Sequence, residues 1–228
     1  MVPTTPIVTI DGPSGSGKGT ISRRVAVRAG WNLLDSGALY RLVALAGIRV
    51  PLQADDVEGH ARLALSMDVH FDVGPEGAER VILGGQEVTD AIRSEVAGQG
   101  ASRVAAWPSV RQALLERQRA FARPPGLVAD GRDMGTVVFP AADLKVFLTA
   151  SPEERALRRY KQLKDKGSDV SLAALSREIT ERDLRDSTRT VAPLKPAPDA
   201  EVIDSTGLTI DKVVEQVWVL GRQGALWA

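Results

Sequence analysis

Ile7-Val8-Thr9-Ile10-Asp11-Gly12-Pro13-Ser14-Gly15-Ser16-Gly17-Lys18-Gly19-Thr20 passes from a β-branched run through a loop with four glycines into a helical pattern that turns Ile21, Val25 and Ala29 inward and stops at Gly30. A loop that grips phosphates must present many backbone N–H groups at once, and glycine lets the backbone curl without side-chain collision. The following helix directs its positive end at the anion, and Lys18 reaches the outer phosphates as a point charge. The spacing Gly12-x4-Gly17-Lys18 fits the Walker A rule, with one departure: Gly19 follows the lysine and the hydroxyl moves to Thr20. A magnesium ion is therefore expected to be held by phosphate oxygens and water rather than by that hydroxyl. An incidental glycine-rich turn is the alternative, and the strand before it and amphipathic helix after it weigh against that.

Outward from this loop the same strand–loop–helix unit recurs. Asn32-Leu33-Leu34 leads into Asp35-Ser36, either of which can cap a helix carrying Leu39, Leu42, Val43 and Ala46 until Gly47. After a helical stretch from Asp56 to Ser66 come brief alternating runs, Val69–Val73, Arg80–Leu83 and Gln86–Val88, punctuated by Gly74-Pro75-Glu76-Gly77 and Gly84-Gly85, which predict a small antiparallel insert. Helices are predicted over Glu95–Ala105 and Ser109–Ala122, the latter with Val110, Ala113, Leu114 and Phe121 on one stripe and Pro124-Pro125-Gly126 beyond it. Leu127-Val128-Ala129 runs straight into Asp130-Gly131-Arg132-Asp133, and Lys145–Leu148 and Glu201–Asp204 are further strands. Arg155–Lys166, Leu172–Asp186 and Ile210–Gly221 complete the helices, with a break at Gly167-Ser168-Asp169 and a loop from Pro193 to Pro198. The predicted class is α/β: a parallel sheet covered by helices on both faces, with a small α+β insert, in one domain over residues 1–228.

Composition narrows the chemistry. The chain holds 228 residues and no cysteine, which removes disulfides, thiolate nucleophiles, zinc ribbons and cysteine-ligated clusters. With 29 basic and 29 acidic residues it has no charge excess for nucleic acid or a membrane surface, so the expected partner is a small molecule. Of the basic residues 22 are Arg and 7 Lys, a bias toward the planar fork that matches phosphate oxygens, although base composition of the coding sequence gives the same bias. The N-terminus lacks the basic start and long apolar core of a signal peptide, and no run of eighteen apolar residues occurs, so a soluble cytoplasmic protein is expected. His60 and His70 show no metal-ligand spacing and are expected at the surface; the four tryptophans suggest no stacking array.

The run Asp11–Thr20, the segment Asp35-Ser36-Gly37-Ala38-Leu39-Tyr40-Arg41 and the segment Asp130-Gly131-Arg132-Asp133-Met134-Gly135-Thr136 together resemble bacterial cytidylate kinases, over nearly the full chain. The resemblance implies transfer of the ATP γ-phosphoryl group to CMP or dCMP with Mg²⁺, an acceptor-binding insert over residues 36–110, an Arg-rich lid over 155–189, and a monomer. It implies ATP binding by Gly12, Pro13, Ser14, Gly15, Ser16, Gly17, Lys18, Gly19, Thr20 and Arg158. For CMP it implies Ser36, Tyr40, Arg41, Ser102, Arg111, Arg132, Asp133, Arg182, Asp186 and Arg189, with Lys18, Arg132 and Arg189 catalytic.

The residues suit that work on their own terms. Open parallel sheets bind ligands beyond the carboxyl ends of their strands, where both the phosphate loop and Gly131-Arg132-Asp133 begin. Arg41, off the apolar stripe of its helix, and Arg132, in a strand-end loop, would clamp an acceptor phosphate. Arg182, Asp186 and Arg189 at i, i+4 and i+7 share one helical face if the helix reaches that far, whether as a ligand face or as a solvated ion-pair stripe. Cytosine needs an acceptor for its amine and donors for its ring nitrogen and carbonyl, a pattern that Asp133, Arg111 and Ser102 can supply. Each has a plainer reading: a turn cap, a first-turn surface residue and a helix-packing residue. Arg155, Arg158 and Arg159 read equally well as a solvated face. The rivals are a related kinase acting on UMP, AMP or a small metabolite, and a nucleotide-dependent binding switch; a hydrolytic motor is weaker, since the strand-ending acids Asp130 and Asp204 stand singly.

Overall fold

The computed structural model describes residues 5–73, 79–165 and 167–227, so the Gly74-Pro75-Glu76-Gly77 turn and Lys166 lie outside the described residues. The chain divides into two compact units, Met1–Asp35 with Arg119–Ala228, and Ser36–Gln118.

The first unit is built on five parallel strands in the order β2-β6-β1-β7-β8: β1 Ile7–Asp11, β2 Asn32–Asp35, β6 Leu127–Gly131, β7 Leu144–Thr149 and β8 Glu201–Asp204. Central parallel strands bury both faces and so read as unbroken apolar runs, and Val8, Ile10, Val128, Val146 and Leu148 are all buried. Helices α1 (Lys18–Ala29), α6 (Pro152–Asp165), α7 (Leu172–Ser187) and α8 (Ile210–Gln223) belong to this unit. Ile21, Val25 and Ala26 of α1 and Val213, Val214 and Val217 of α8 pack into one core with the strands. Ala29, expected inward, is half-buried because α1 buries the face of Ile21, Ser22, Val25 and Ala26. Gly30 ends α1 in the left-handed conformation, its N–H bonded to Ala26 and Val27 carbonyls.

The register positions the chemistry. β1 lies between β6 and β7, and Asp11 pairs with Gly131, so the phosphate loop and the loop carrying Arg132 and Asp133 leave adjacent strands at the same carboxyl edge. Asp35 pairs with Asp130, which brings a second and third carboxylate to that edge.

The second unit holds α2 (Ser36–Arg49), α3 (Val57–Ser66), α4 (Glu95–Val104), α5 (Pro108–Arg119) and an antiparallel sheet of β3 (Val69–Val73), β4 (Glu79–Leu83) and β5 (Gln86–Glu87). Asp56 and Ser94 cap α3 and α4 through their side chains, accepting from Gly59 and Ala97 N–H groups. Leu39, Leu42, Val43, Val104, Val110 and Leu114 are buried.

Several expectations need correction. α2 runs two residues past Gly47, to Arg49. α5 stops at Arg119, short of Ala122, so Phe121 lies beyond the helix and Gln118 is buried instead. α7 ends at Ser187, leaving Arg189 outside it. His60 is buried, not at the surface: its Nδ1 lies 2.7 Å from the Asp56 carbonyl and its ring meets Trp107 edge-on at 5.3 Å. Three tryptophans do group, Trp227 stacking on Trp218 at 4.6 Å and meeting Trp31 edge-on at 5.3 Å, because the chain after α8 turns back onto that helix, where Trp227 Nε1 donates to the Trp218 carbonyl at 2.9 Å.

Candidate active site

Gly12 opens the phosphate loop at φ 157°, where a Cβ would stand 2.0 Å from the Leu148 carbonyl oxygen of the neighbouring strand, so the close passage of loop over β7 requires glycine. Gly17, at φ 93°, starts α1 in the left-handed conformation and no side chain caps it, which leaves the helix's first N–H groups to an anion. Lys18 folds back over the loop, its Nζ donating to the Pro13 carbonyl at 3.2 Å. Donors from later in the chain hold the loop from behind: Arg155 Nη1 bonds the Ser14 carbonyl at 3.0 Å, and Arg158 Nη1 and Ser205 Oγ bond that of Ser16 at 3.1 and 3.2 Å. The Pro13, Ser14 and Ser16 carbonyls are thereby occupied by donors of the protein itself. Arg158, expected on the triphosphate, is otherwise committed to Glu154 at 2.9 Å and to Ser205. The Ser16 hydroxyl is buried with no hydrogen-bond partner among the described residues, while Thr20 is exposed.

Two strand-end carboxylates, Asp130 and Asp35, act on the Lys18 charge, and a third strand-end acid, Asp11, stands near Asp130; none of the three was among the site residues expected from the sequence. Burial, reinforced by the Arg132 guanidinium, brings the Lys18 ammonium down to about 7, with Asp130 pulling the other way. Burial pushes the Asp130 carboxyl up to about 7 against the pull of Lys18, with Asp35 adding to the rise. Asp130 Oδ1 has no hydrogen-bond partner among the described residues, and Oδ2 lies 3.2 Å from where a Cβ on Gly19 would stand. Asp11 accepts from the Met134 N–H at 2.9 Å and the Gly135 N–H at 2.8 Å, and burial raises its carboxyl to about 7 against those two bonds. It thereby pins the π-helical turn Met134–Val138 that follows Arg132 and Asp133, a turn without any sequence signal. The signal for these acids was present, since each interrupts or ends an otherwise apolar strand.

Arg132 donates from Nε to Asp186 Oδ2 at 3.1 Å and from Nη1 to the Gly131 carbonyl at 3.2 Å. Arg189 Nη2 binds Asp186 Oδ1, although it lies beyond the end of α7. Burial alone would raise the Asp186 carboxyl, but the Arg132, Arg189 and Arg182 guanidinium groups outweigh it and hold it below the usual carboxylate range. The four residues therefore form a cationic cluster around one buried carboxylate. Asp133 is also buried; its side chain caps nothing, and its carbonyl accepts from the Val137 and Val138 N–H groups.

In the second unit, Ser36 and Tyr40 are buried on α2, and Arg41 on the same helix donates to the Ile92 carbonyl at 3.1 Å. Arg111 is buried rather than a surface residue: Nη1 bonds the Ala105 carbonyl at 3.1 Å and the guanidinium stands 5.8 Å from the Tyr40 ring centroid. The Ser102 hydroxyl is buried with no hydrogen-bond partner among the described residues. No three acids or histidines among the described residues converge as a metal-binding cluster, and no helix is long and apolar enough to cross a membrane.

Comparison with known proteins agrees in scale with these features. Residues 8–223 match the family model described as cytidylate kinase. The chain is 60% identical over 213 residues to a cytidylate kinase of Pseudomonas paraeruginosa, covering 93% of each chain. It is 60% identical over 215 residues to one of Azotobacter vinelandii, covering 92% of this chain and 93% of that one, and 59% identical over 210 residues to one of Shewanella loihica, covering 92% and 91%. A glycine loop ending in Lys18, the Asp130-Gly131-Arg132-Asp133 loop beside it and a family match across nearly all of the chain lead to one conclusion: this chain belongs to the cytidylate kinase family.

Proposed function

We propose that the protein is a nucleoside monophosphate kinase that transfers the γ-phosphoryl group of ATP to CMP or dCMP, giving ADP and CDP or dCDP. The observation that carries this reading is the register of Asp11 with Gly131, which sets the phosphate loop and Arg132 side by side on one sheet edge. The attacking atom is an acceptor phosphate oxygen that already carries negative charge near neutrality, so no general base is needed, and none is offered by His60 or His70. The protein's share of the work is alignment and charge. Residues Gly12–Thr20 cradle the donor phosphates, and Lys18 regains its full charge on them. Arg132, Arg182 and Arg189, assembled on Asp186, supply the cationic surface for the acceptor phosphate and the migrating group. Ser36, Tyr40, Arg41, Ser102 and Arg111 of the second unit and Asp133 of the first are assigned to the acceptor nucleotide, residues 36–110 to its recognition and 155–189 to a lid. Gly167, at φ 75° with open space around it, is the natural hinge of that lid. Arg158 acts on the triphosphate through the Ser16 carbonyl it holds.

The donor set fits Mg²⁺. The usual loop hydroxyl is replaced by Gly19, and Asp130 Oδ2 lies 3.2 Å from where a Cβ on that glycine would stand, with Asp35 paired to Asp130 on the neighbouring strand; these two would hold the ion's waters while phosphate oxygens complete its shell. Bound there, the ion neutralises charge on the donor oxygens. One chain and the cytoplasmic nucleotide pools suffice for this reaction, so the protein is proposed to act as a cytoplasmic monomer. The test is an ADP-release assay with ATP and a panel of ribo- and deoxyribonucleoside monophosphates. The expected order places CMP and dCMP first; turnover led by AMP, or no acceptor dependence at all, overturns the reading.

A further inference from the structure

One guanidinium joins the phosphate loop to α7. Arg155, nearly inaccessible with 4% of its side chain exposed, donates from Nε to the Ala150 carbonyl at 3.0 Å and from Nη1 to the Ser14 carbonyl at 3.0 Å. The same Nη1 reaches Asp183 Oδ1 at 3.0 Å, and Nη2 reaches Asp183 Oδ2 at 2.5 Å. The loop has no slack against it, since a Cβ on Gly15 would stand 3.0 Å from Arg155 Cβ. Asp183 sits between the residues of α7 that matter for the acceptor: next to Arg182 and three residues before Asp186, whose carboxylate gathers Arg132 and Arg189.

A buried ion pair is weak as a source of stability, because apolar packing of the same volume does as well. What a bidentate fork supplies is fixed geometry, and here the fork shares one nitrogen between a carbonyl of the donor loop and a carboxylate of α7. We infer that Arg155 is a positioning residue that couples the two nucleotide sites. Occupation of the loop by a triphosphate fixes Ser14, Ser14 fixes the Arg155 fork, and the fork sets α7 in the register that Arg182 and Asp186 need for the acceptor. By reciprocity, CMP tightens the triphosphate by the same factor. This inference rests on the transfer reading above.

The experiment is calorimetry of CMP binding, with and without a saturating non-hydrolysable ATP analogue, on the wild type, Arg155→Lys, Asp183→Asn and the double variant. Lysine keeps the charge and loses the fork; the Asp183 change is isosteric and only partly buried, and it carries the test if the first variant does not fold. In the wild type the analogue is expected to tighten CMP about fivefold or more, falling to about twofold or less in each single variant with no further fall in the double variant. A melting temperature that drops while the coupling factor stays at its wild-type value assigns Arg155 a merely structural role and overturns the inference. So does a wild type that binds CMP equally well with and without the analogue, or losses that add in the double variant. A wild type that binds no CMP in either state overturns the transfer reading itself, and this inference with it.

Discussion

Arg132 Nε donates to Asp186 Oδ2 across 3.1 Å, joining the loop after β6 to a helix 54 residues further along the chain. Arg189 occupies the other carboxylate oxygen, and the Asp186 side chain is only 2% exposed. Asp186→Asn leaves those cations buried without their counter-charge, and about 3 kcal/mol or more of stability is expected to be lost, as urea unfolding at pH 7 would show. The pH dependence has a definite sign. The carboxyl is held below its unfolded value by Arg132 and Arg189 against burial, so its contribution is complete above pH ~4 and disappears as pH falls through the folded value. Wild-type stability is expected to fall below pH ~4, and the variant to show a shallower acid limb.

Lys18→Ala is expected to lower kcat by two orders of magnitude or more, since one preorganised contact to developing charge is worth ~3 kcal/mol. With the free ammonium brought down to about 7 by burial, a triphosphate has to restore the proton in order to be fully bound. ATP affinity of the wild type should therefore weaken as pH rises from about 7.5 to 9, where ATP itself no longer titrates appreciably. The alanine variant should lose most of that slope. Titration calorimetry across the range reads both, and a wild-type affinity flat in pH would contradict the account of Lys18.

Two glycines separate conformational strain from collision. Gly30 sits at φ 67° with nothing near its missing Cβ, so Gly30→Ala measures the left-handed conformation alone, ~1 kcal/mol. Gly12 is also at positive φ, and a Cβ there would meet a main-chain oxygen at 2.0 Å, which cannot move without breaking β7. Gly12→Ala is expected to cost about 3 kcal/mol or more and to abolish ATP binding. Equal melting temperatures for the two variants would refute the close passage of the loop over Leu148.

What the sequence shows clearly is whatever depends on near neighbours. The β-branched run, the glycine spacing and Lys18 name β1, its loop and α1, because strand, turn and helix each leave a local pattern. Arg132, Arg182 and Asp186 are visible as candidates for the same reason. Their arrangement is not: Asp186 serves Arg132 and Arg189 only because α7 ends at Ser187 and the chain turns back, so that the Leu194 N–H reaches the Asp186 carbonyl at 2.8 Å. Asp11 is legible as the acid that ends β1, but its work is not, since its two bonds go to N–H groups of a turn more than a hundred residues away. His60 misleads because a polar ring in a sequence does not announce the buried carbonyl that satisfies it.

Ser102 gives the most direct test of acceptor recognition. A buried hydroxyl with no hydrogen-bond partner among the described residues contributes no stabilising hydrogen bond, so Ser102→Ala should leave the melting temperature unchanged or raise it slightly. If the hydroxyl is held for a cytosine group, the same change removes one neutral hydrogen bond from the bound state, and kcat/KM for CMP should fall roughly tenfold with the KM for ATP unaffected. UMP, which lacks the exocyclic amine, should be affected less, so that discrimination between the two bases narrows. Steady-state kinetics with both acceptors decide it: a residue that merely packs α4 would shift neither KM, and CMP kinetics unchanged in a variant of wild-type stability would remove Ser102 from the acceptor site.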